Sequence, residues 1–560
     1  MAERRAAAAL WPAALVAAVF VVFSPILGNG FVNWDDPGNI LRNPWLGRFD
    51  ARGLAWTFKT TQYGHFQPLA WLSLSLDKTL WGLEPGGFHA TALILHAVSA
   101  VLLFLLLREL LSRRASTPGA VDLPAAAGAA LFILHPLRVE SVAWATERRD
   151  GLSLLFLLLS ALLYARAVAR NEKAPLLGPS LAAFAAAALS KVVVFVFPVL
   201  LICLDAGLLD RRRNWGTLFT EKIGFWIVSA AILLLGVRAQ VISGSAPSLA
   251  AVGVGDRLAA AVWTPGWAAW KTVFPVGLTP FVCMDWRTQP GRFWPPAVLS
   301  LVLAAGVTAS SRRGLRALAA AWLTALLPAL GLFKSGPQSA ADRFTLLPGA
   351  VLAVGCAVLL RRLGRGASWA ALCLAAGLGV LTRAQSFVWR DSISLWTRAA
   401  QAEPPAPLVV RGLGSALREA GREKEALALF SRLDSSDSIA LVSAADARYR
   451  SGDWKESSRL YARALQGEPD LASVRVNLGL SLYRQGLISE AAGHFARACD
   501  DDPQLPDAWH NLGVALARLG RSADAELCLR KALELSPGRR DSRDALLKLR
   551  SLAHAGEMIK

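Results

Sequence analysis

Two neighbouring aspartates, Asp35 and Asp36, follow the first long apolar segment of the chain. A carboxylate held at a membrane surface can take a proton from a substrate hydroxyl, so the pair is a candidate general base. Acidic residues in a loop are also commonly solvated and without a chemical role, and the pair alone leaves that alternative open. The hypothesis therefore depends on which other side chains the fold brings to the same place.

Further polar residues recur at one end of the apolar segments that follow. They are Asp35, Asp36, Asn39, Asn43, and those within 63–68, 135–150, 190–191 and 334–344. Acids that can abstract a proton and cations that can bind an anionic leaving group are thereby predicted to converge on one side of a membrane. A transferase that uses a phosphate-linked donor needs this set of groups.

The elements that must position these groups are membrane helices. A hydrophobic content of 54% and a mean hydropathy of +0.40 over 560 residues exclude an ordinary soluble fold. About eleven segments are long enough, or nearly so, to span roughly 30 Å of hydrocarbon. These segments are 6–31, 88–111, 124–137, 151–169, 178–189, 192–209, 223–237, 295–309, 317–333, 345–360 and 367–381.

Basic clusters predict the orientation of these spans, because Lys and Arg in short loops stay on the cytoplasmic side. Only one orientation of the spans places all of the basic clusters on the cytoplasmic side. In this orientation the N-terminal segment is an uncleaved signal anchor with a cytoplasmic N-terminus, and everything after residue 381 lies outside the cytoplasm. The clusters are 4–5, 113–114, 166–173, 211–213, 312–316 and 361–365. The segment 258–276 breaks the alternation, so we expect it to be re-entrant or interfacial, with Trp263, Trp267 and Trp270 at headgroup level.

Composition also bears on partners and metals. The formal charge of +19 is explained by the cytoplasmic loops, so no nucleic-acid partner is predicted. Six cysteines in so long a chain give no disulfide framework, and no Cys-x-x-Cys spacing indicates structural zinc.

A repeat of 34 residues begins in the charged C-terminal region. Gly452, Gly486 and Gly520 are spaced by this interval, and so are Pro469, Pro503 and Pro537. This is the period of the tetratricopeptide repeat (TPR). The predicted domains are a membrane domain over 1–383, a linker or first amphipathic helix over 384–407, and repeats with a capping helix over 408–553. Peptide binding on the concave face of the repeats and a passive scaffolding or oligomer contact remain alternatives.

The order of short motifs along the chain resembles the transmembrane-and-TPR O-mannosyltransferase family of the GT-C superfamily. The motifs are Asn33-Trp34-Asp35-Asp36, Pro68-Leu69, Gly87-Phe88-His89, His135-Pro136, Glu140-Ser-Val-Ala-Trp144, Glu147-Arg-Arg-Asp150, Ser190-Lys191, Ala341-Asp342-Arg343-Phe344 and Trp389-Arg390-Asp391-Ser392. The resemblance implies an all-α GT-C-like helical bundle that transfers a sugar from a polyprenyl-phosphate donor on the non-cytoplasmic side.

The resemblance also implies roles for individual residues. Asp35 and Asp36 match the acidic pair that deprotonates and orients the acceptor hydroxyl. Candidate ligands for the lipid phosphate are Arg138, Lys191 and Arg343, and candidate contacts for the sugar hydroxyls are Glu140 and His65. Secondary candidates are Arg148, Arg149, Asp150 and Asp342. No metal and no cofactor are expected.

Each of these assignments has a structural alternative. Arg138 could merely pair with Glu140, Arg343 with Asp342, and Lys191 could extend to the membrane interface. Arg148, Arg149 and Asp150 could form a solvated ion-pair cluster. The chain also departs from the family pattern at three places, namely Val192-Val193-Val194, Phe344 and Gly64-His65-Phe66. The last of these lacks an expected Arg, which leaves one phosphate or sugar contact in doubt.

Two classes of function follow. The first is a bacterial inner-membrane glycosyltransferase that moves a sugar, with mannose expected, to Ser or Thr hydroxyls of extracytoplasmic polypeptides recruited by the TPR concave face. The second is a non-enzymatic, membrane-anchored TPR scaffold for envelope assembly or secretion. The acid pair beside outward-facing cations favours the first. A transporter is disfavoured because the halves show no internal symmetry.

Overall fold

The structure, a computed structural model, describes residues 2–113, 120–169, 177–209, 215–244, 253–331, 338–402, 406–430, 438–467 and 471–557. Over these ranges the chain is helical, and its one isolated bridge joins Val282 to Ala340. The all-α prediction is therefore confirmed. The helices fall into two compact units, Met1–Pro404 and Pro405–Lys560.

Seventeen α-helices of the described residues belong to the N-terminal unit. They are α1 (Ala2–Phe23), α2 (Ala51–Lys59), α3 (Pro68–Trp81), α4 (Pro85–Ser112), α5 (Asp122–Ile133), α6 (Val139–Ala143), α7 (Arg148–Ala169), α8 (Gly178–Ser190), α9 (Phe197–Gly207), α10 (Trp215–Thr220), α11 (Ile223–Ile242), α12 (Val254–Val273), α13 (Pro290–Ala309), α14 (Arg313–Leu326), α15 (Leu346–Leu363), α16 (Arg365–Ser386) and α17 (Ser392–Ala402).

Seven helices in the described part of this unit are long and apolar enough to cross a membrane, or up to eight if one bent pair is a single span. These are the segments Leu10–Gly28, Pro85–Ser112, Ala145–Val168, Ile223–Ile242, Pro290–Ala309, Asp342–Leu363 and Arg365–Trp389. The N-terminal unit is thus the membrane-integral part of the protein.

This count is lower than the eleven predicted, because an apolar run does not reveal where its helix breaks. The bent pair turns by 59° between α5 and Pro136–Ala143. Helices α8 and α14 have 13 and 14 residues, which at about 1.5 Å per residue reach only about two thirds of the hydrocarbon thickness. Of the predicted basic clusters, 211–213 and parts of 113–114 and 166–173 lie outside the described residues, as do residues 334–337 of the last polar stretch.

Most of the segment 258–276, predicted to be re-entrant or interfacial, forms helix α12. It is one continuous helix around Pro265, and its Trp263 and Trp267 are only 2% and 5% exposed. Both rings pack into a core cluster with residues of α13. Helix α13 can approach α12 closely at Gly266 because glycine has no Cβ. A Cβ at this position would lie only 2.6 Å from the carbonyl carbon of Pro296. These two rings are therefore packed inside the protein, whereas Trp270 is half exposed. The position of the segment at headgroup level stays a prediction.

The C-terminal unit consists of paired helices. They are α18 (Pro407–Glu419), α19 (Glu423–Phe430), α20 (Ser438–Arg450), α21 (Trp454–Gly467), α22 (Ala472–Arg484), α23 (Ile488–Asp501), α24 (Pro506–Arg518), α25 (Ser522–Leu535) and the terminal α26 (Arg540–Glu557). Gly421, Gly452, Gly486 and Gly520 follow the first helix of each pair with φ between +74° and +84°. Glycine adopts this left-handed conformation without steric cost, so it ends the helix there.

Candidate active site

The Asp36 carboxylate is buried and fully engaged. Its Oδ2 accepts a hydrogen bond from the Val32 backbone N–H at 2.9 Å. Its Oδ1 accepts from the Thr146 backbone N–H at 3.1 Å and from Thr146 Oγ1 at 2.5 Å. The side chain is 1% exposed. Asp36 therefore ties the loop after α1 to the turn before α7.

Asp35 differs from its neighbour in its exposure and in its hydrogen bonding. It is only partly buried, and among the described residues no group donates a hydrogen bond to its carboxylate. Burial raises its pKa above the ordinary 3.8, while the positive charges of Arg149 and Arg343 oppose that shift. A partly exposed carboxylate with a raised pKa is a suitable proton acceptor.

Burial also raises the pKa of Asp36, to about 6, against the hydrogen bonds from Thr146 and Val32 and with a smaller contribution from the Asp35 charge. Because its oxygens already accept three hydrogen bonds, Asp36 has little capacity left to receive a proton from a substrate. The geometry distinguishes the two acids, which the sequence leaves equivalent.

Aromatic packing holds the residues just before the acid pair. The Trp34 ring lies between Trp144 and Trp396, with centroid distances of 5.1 and 4.9 Å. Trp396 Nε1 donates a hydrogen bond to Asn33 Oδ1 at 2.6 Å, and the Asn33 backbone N–H donates to Ser392 Oγ at 2.9 Å. The loop that carries Asp35 is thus supported by the start of α17.

A second set of contacts extends this support. The Gly30 backbone N–H donates to the Arg390 carbonyl at 2.8 Å, and Asn29 Nδ2 donates to the Ser386 carbonyl at 3.2 Å. Residues 29–34 and 386–396 therefore form one hydrogen-bonded clasp, which we call the loop clasp. The segment 384–407, predicted as a linker or first amphipathic helix, contains α17 and most of this clasp.

A buried network of charges lies beside Asp35, and Glu147 is at its centre. Arg149 donates to both Glu147 oxygens, at 2.9 and 2.5 Å, and Lys191 donates to Oε2 at 3.2 Å. Arg343 Nε lies 3.4 Å from Oε1. Glu147 is 0% exposed, so three cations compensate one buried carboxylate.

The same cations have further acidic partners. Lys191 also pairs with Asp150, whose other oxygen accepts a hydrogen bond from Ser141 at 2.8 Å. Arg343 pairs with Glu140 through its side chain, and its backbone N–H donates to Glu140 at 3.0 Å. Lys191 therefore does not extend to the interface, and Arg343 does not pair with Asp342.

Arg138 lies apart from this network. Its Nη2 donates to Thr345 Oγ1 at 2.6 Å and its guanidinium lies over the Phe132 ring at 4.8 Å, so it does not pair with Glu140. Its Nε and Nη1 are buried without a hydrogen-bond partner among the described residues. Asp342 is nearby, 4% exposed, and its backbone carbonyl accepts from the same Thr345 hydroxyl at 2.7 Å.

The remaining secondary candidates do not form a solvated cluster. Arg148, Arg149 and Asp150 are all at most 5% exposed. Arg148 belongs to a different site, where it pairs with Asp77 at 2.5 Å and donates to the Phe88 carbonyl at 2.7 Å. Only Arg149 and Asp150 of these three lie in the network around Glu147.

His65 faces the charge network from the loop before α3. Burial and the neighbouring charge of Arg149 lower its pKa well below 6.5, with Lys191 and Arg343 acting in the same direction. The imidazole is therefore neutral near pH 7 and can both donate and accept a hydrogen bond. This property suits a contact with a sugar hydroxyl.

The network lines a cavity that continues into the membrane region. The cavity encloses about 80 Å³, and Asp150, Lys191 and Arg343 contribute its charged walls. Three of its apolar lining residues, Leu154, Leu157 and Leu347, also line an adjoining groove of about 730 Å³. That groove lies between α4, α7, α9, α14 and α15, and its walls are almost entirely apolar. An amphiphile with an anionic head and a long apolar tail fits this shape.

Three residues of the site were not assigned a role from the sequence. Thr146 supplies two of the three hydrogen bonds to Asp36, Glu147 unites the cations, and Gln67 accepts from Arg149 Nη1 at 3.1 Å. Glu147 was visible as an acid of the polar stretch 135–150, between two predicted spans, and as the first residue of the motif Glu147-Arg-Arg-Asp150. Thr146 and Gln67 carry no such signal. No group of three or more potential metal ligands occurs in the described ranges.

Comparison with known proteins gives family models for the C-terminal repeats and curated relatives over part of the chain. Family models of the tetratricopeptide repeat match residues 383–438, 442–506 and 506–539. The first TPR of Spaghetti (RPAP3), solved with an HSP90 peptide, is 20% identical, with a TM-score of 0.21, and the match covers 22% of this chain and 97% of that one.

Two curated relatives come from Drosophila melanogaster. The protein O-mannosyl-transferase Tmtc1 is 31% identical over 199 residues, which is 35% of this chain and 21% of the relative. Tmtc2 is 35% identical over 157 residues, which is 26% of this chain and 16% of the relative. The chain thus spans about a fifth of the length of the curated relatives it matches. The family resemblance inferred from the motifs is confirmed: over part of its length the chain is related to the Tmtc protein O-mannosyl-transferases, and it ends in tetratricopeptide repeats.

Proposed function

We propose that the chain is a membrane glycosyltransferase that moves mannose from a polyprenyl-phosphate donor to Ser or Thr hydroxyls of extracytoplasmic polypeptides. The observation that carries the proposal is the position of Asp35. Its carboxylate is free of hydrogen bonds from described residues, and it lies within electrostatic reach of Arg343. Arg343, Lys191 and Asp150 line a cavity that shares three apolar lining residues with a long apolar groove. The named activity of the Tmtc relatives supports the same class of reaction.

In the proposed reaction, Asp35 takes the proton of the acceptor hydroxyl as its oxygen attacks the anomeric carbon of the sugar. The bond between that carbon and the phosphate oxygen breaks, and the configuration at the carbon inverts. The electron pair of this bond leaves with the polyprenyl phosphate, which gains negative charge. Lys191 and Arg343 line the cavity where this charge would develop, so they are the proposed phosphate ligands.

Other residues of the site act through these groups. Asp36 holds the loop, and thus Asp35, at a fixed distance from the cations. His65 and Glu140 are the proposed contacts of the sugar hydroxyls. Arg138 is buried and does not line the cavity, so we assign it a positioning role on Thr345, just before α15, instead of the phosphate contact first expected.

The apolar groove is the proposed site of the polyprenyl tail. Burial of apolar surface stabilises a bound tail by about 25 cal/mol per Å², so a groove lined almost entirely by apolar residues favours a long isoprenoid. The TPR region is proposed to recruit the acceptor polypeptide on its concave face, outside the cytoplasm. The proposed location is a bacterial inner membrane with a cytoplasmic N-terminus.

The decisive experiment measures sugar transfer by the purified full chain in lipid vesicles. Polyprenyl-phosphate [³H]mannose is the donor and a cell-envelope protein extract is the acceptor. We expect labelled protein with the natural chain and a loss of at least about 100-fold with Asp35→Asn, which is the usual order for removal of a general base. Asp50→Asn is the matched control, because Asp50 is an acid of the same loop region that caps α2 through the Gly53 N–H.

Failure to label protein with any lipid-linked sugar would reject the enzymatic proposal and favour the membrane-anchored scaffold. Equal labelling by Asp35→Asn and the natural chain would reject Asp35 as the base. A parallel reaction with GDP-mannose in place of the lipid-linked donor tests the donor class. Transfer from the nucleotide sugar alone would leave the apolar groove without its proposed role.

A further inference from the structure

Tyr63 has an unusual backbone conformation. Its φ of +53° is the only positive φ of a non-glycine residue in the described ranges. A bulky side chain in this left-handed region costs on the order of 1–3 kcal/mol, and such strain persists only where the surroundings enforce it. Strained residues of this kind concentrate at functional sites, so the contacts of Tyr63 indicate what the strain accomplishes.

Neighbouring contacts lock this conformation onto the loop that follows the acid pair. Gln62 Nε2 donates to the Gly38 carbonyl at 2.9 Å and to Asn39 Oδ1 at 3.3 Å. The Tyr63 phenol lies directly against Gly38, where an added Cβ would be 2.9 Å from the ring carbon Cζ. The missing side chain of Gly38 therefore creates the seat of the phenol, only a few residues after Asp35.

The phenol is held in place and yet remains open to solvent. Half of Tyr63 is exposed, so its ring and hydroxyl are accessible to a bound polypeptide. Burial of part of the ring and the negative charge of Asp35 raise the pKa of its hydroxyl, with Arg42 opposing. The hydroxyl is therefore protonated near pH 7 and stands within the electrostatic reach of Asp35 as a hydrogen-bond donor.

Tyr63 lies outside the spaces proposed for the donor. Lys191 and Arg343 line the charged cavity, which shares lining residues with the apolar groove, and Tyr63 lines neither space. In the proposed function the lipid-linked donor occupies the cavity and the groove, whereas the acceptor polypeptide arrives from the aqueous side. The half-exposed ring of Tyr63 is therefore available to the acceptor.

We propose that Tyr63 is an acceptor-positioning residue, whose exposed ring and hydroxyl hold the polypeptide segment that carries the reacting Ser or Thr against Asp35. The ring offers a flat apolar surface to neighbouring side chains, and the hydroxyl can donate to a peptide carbonyl. This inference rests on the proposed function, and it adds the residue that fixes the acceptor. A contact of Tyr63 with the sugar of the donor would be a different role, and the test below separates the two.

The first variant is Tyr63→Gly, which removes the ring and also relieves the strained φ. We expect the melting temperature to stay equal or rise, because glycine adopts positive φ without cost. We expect the KM for a Ser- or Thr-containing acceptor peptide to rise about tenfold or more, which corresponds to about 1.4 kcal/mol of lost binding. The KM for the lipid-linked donor and the slow hydrolysis of the donor by water should not change.

The second variant is Gly38→Ala, which leaves Tyr63 in the chain but places a methyl group where the phenol now lies. We expect the same rise in the KM for acceptor peptide with unchanged donor hydrolysis. Phe58→Ala is the matched control, since Phe58 is a similarly exposed aromatic ring, at 49%, on α2. This control should leave the KM for acceptor peptide unchanged.

The outcomes separate this inference from the proposed function. If the natural chain transfers no sugar and hydrolyses no donor, the proposed function fails. If it is active and Tyr63→Gly has the same KM for acceptor peptide, the inference is overturned. A rise in donor KM would assign Tyr63 to the sugar instead. A fall in melting temperature that accounts for all lost activity, with Gly38→Ala unaffected, would show a purely structural role and also overturn it.

Discussion

Thr146 donates two hydrogen bonds to a single oxygen of Asp36, one from its backbone and one from its hydroxyl. The two residues are 110 positions apart in the chain. These hydrogen bonds fix the loop after α1 to the residues that begin the charge network. Asp36 thereby helps to position Asp35, its neighbour in the same loop.

The Thr146 hydroxyl can be removed without a change in side-chain volume. In Thr146→Val, Asp36 loses its 2.5 Å hydrogen bond and its pKa should rise further above about 6, because that bond favours the ionised form. We expect a loss of about 1–3 kcal/mol of stability, as for the removal of one hydrogen bond to a buried charged group. Thermal unfolding in detergent measures this loss. Thr146→Ser keeps the hydroxyl and should behave like the natural chain.

The pH dependence of transfer should reveal the state of Asp35. The base must be ionised, so kcat/KM should fall as the pH drops through its pKa, which burial raises above 3.8. The positive charge of Arg149 lowers that pKa, so Arg149→Gln should move the acidic limb of the profile to higher pH. Arg149→Lys preserves the charge and should restore much of the original profile. An acidic limb that is identical in all three proteins would argue against Asp35 as the titrating base.

The loop clasp should affect turnover more than binding. Trp396→Phe keeps a ring beside Trp34 but removes the 2.6 Å hydrogen bond to Asn33. We expect kcat to fall about tenfold, the equivalent of about 1.4 kcal/mol, while the KM values change little. Trp369→Phe is the control, because Trp369 is 50% exposed on α16. A rise in acceptor KM with unchanged kcat would contradict this role.

The junction between the charged cavity and the apolar groove offers a test of the tail site. Leu157 lines both spaces, so Leu157→Trp should obstruct the passage between them. We expect a higher KM for a long polyprenyl donor and a smaller effect on a donor with a short, water-soluble tail. Leu374→Trp introduces the same ring on α16, where Leu374 is 60% exposed, and should leave the KM for both donors unchanged. Equal effects on both donors would indicate a general structural defect.

The repeats provide a paired test of packing. In Gly479→Ala the added Cβ would lie 2.6 Å from Cε1 of Phe495, whose ring is buried, so α22 and α23 must separate. Overpacking of this kind costs about 1–3 kcal/mol. Gly493→Ala, at an exposed position with open space around it, should instead stabilise α23 by about 0.5–1 kcal/mol. Amide hydrogen exchange of α22 and α23 in the full chain should be faster in Gly479→Ala and slower in Gly493→Ala.

Much of the fold could be predicted because its signals are local. The spacing of Gly452, Gly486 and Gly520 requires only a glycine at the end of each first helix, and the structure has these glycines at positive φ. The number of long apolar helices was less predictable. Pro136 follows a bend between α5 and the next short helices, and an apolar run before it reads as a straight span.

The candidate site was predictable in composition but not in pairing. The sequence offers Asp35 and Asp36 as equals, and only the contacts of Thr146 and Val32 separate them. Likewise, the choice of Arg343 as the partner of Glu140 depends on two segments that are 203 residues apart. Ion pairs over such distances follow from tertiary packing, and no periodicity or spacing in one sequence records them.

The loop clasp also determines how this protein can be shortened. A chain cut after Arg383, at the end of the predicted membrane domain 1–383, would keep most of α16. It would nevertheless lose Trp389, Ser392 and Trp396, and with them the hydrogen-bond partners of Asn33 and one neighbour of Trp34. A shortened chain intended for activity measurements should therefore extend at least through Ala402, at the end of α17.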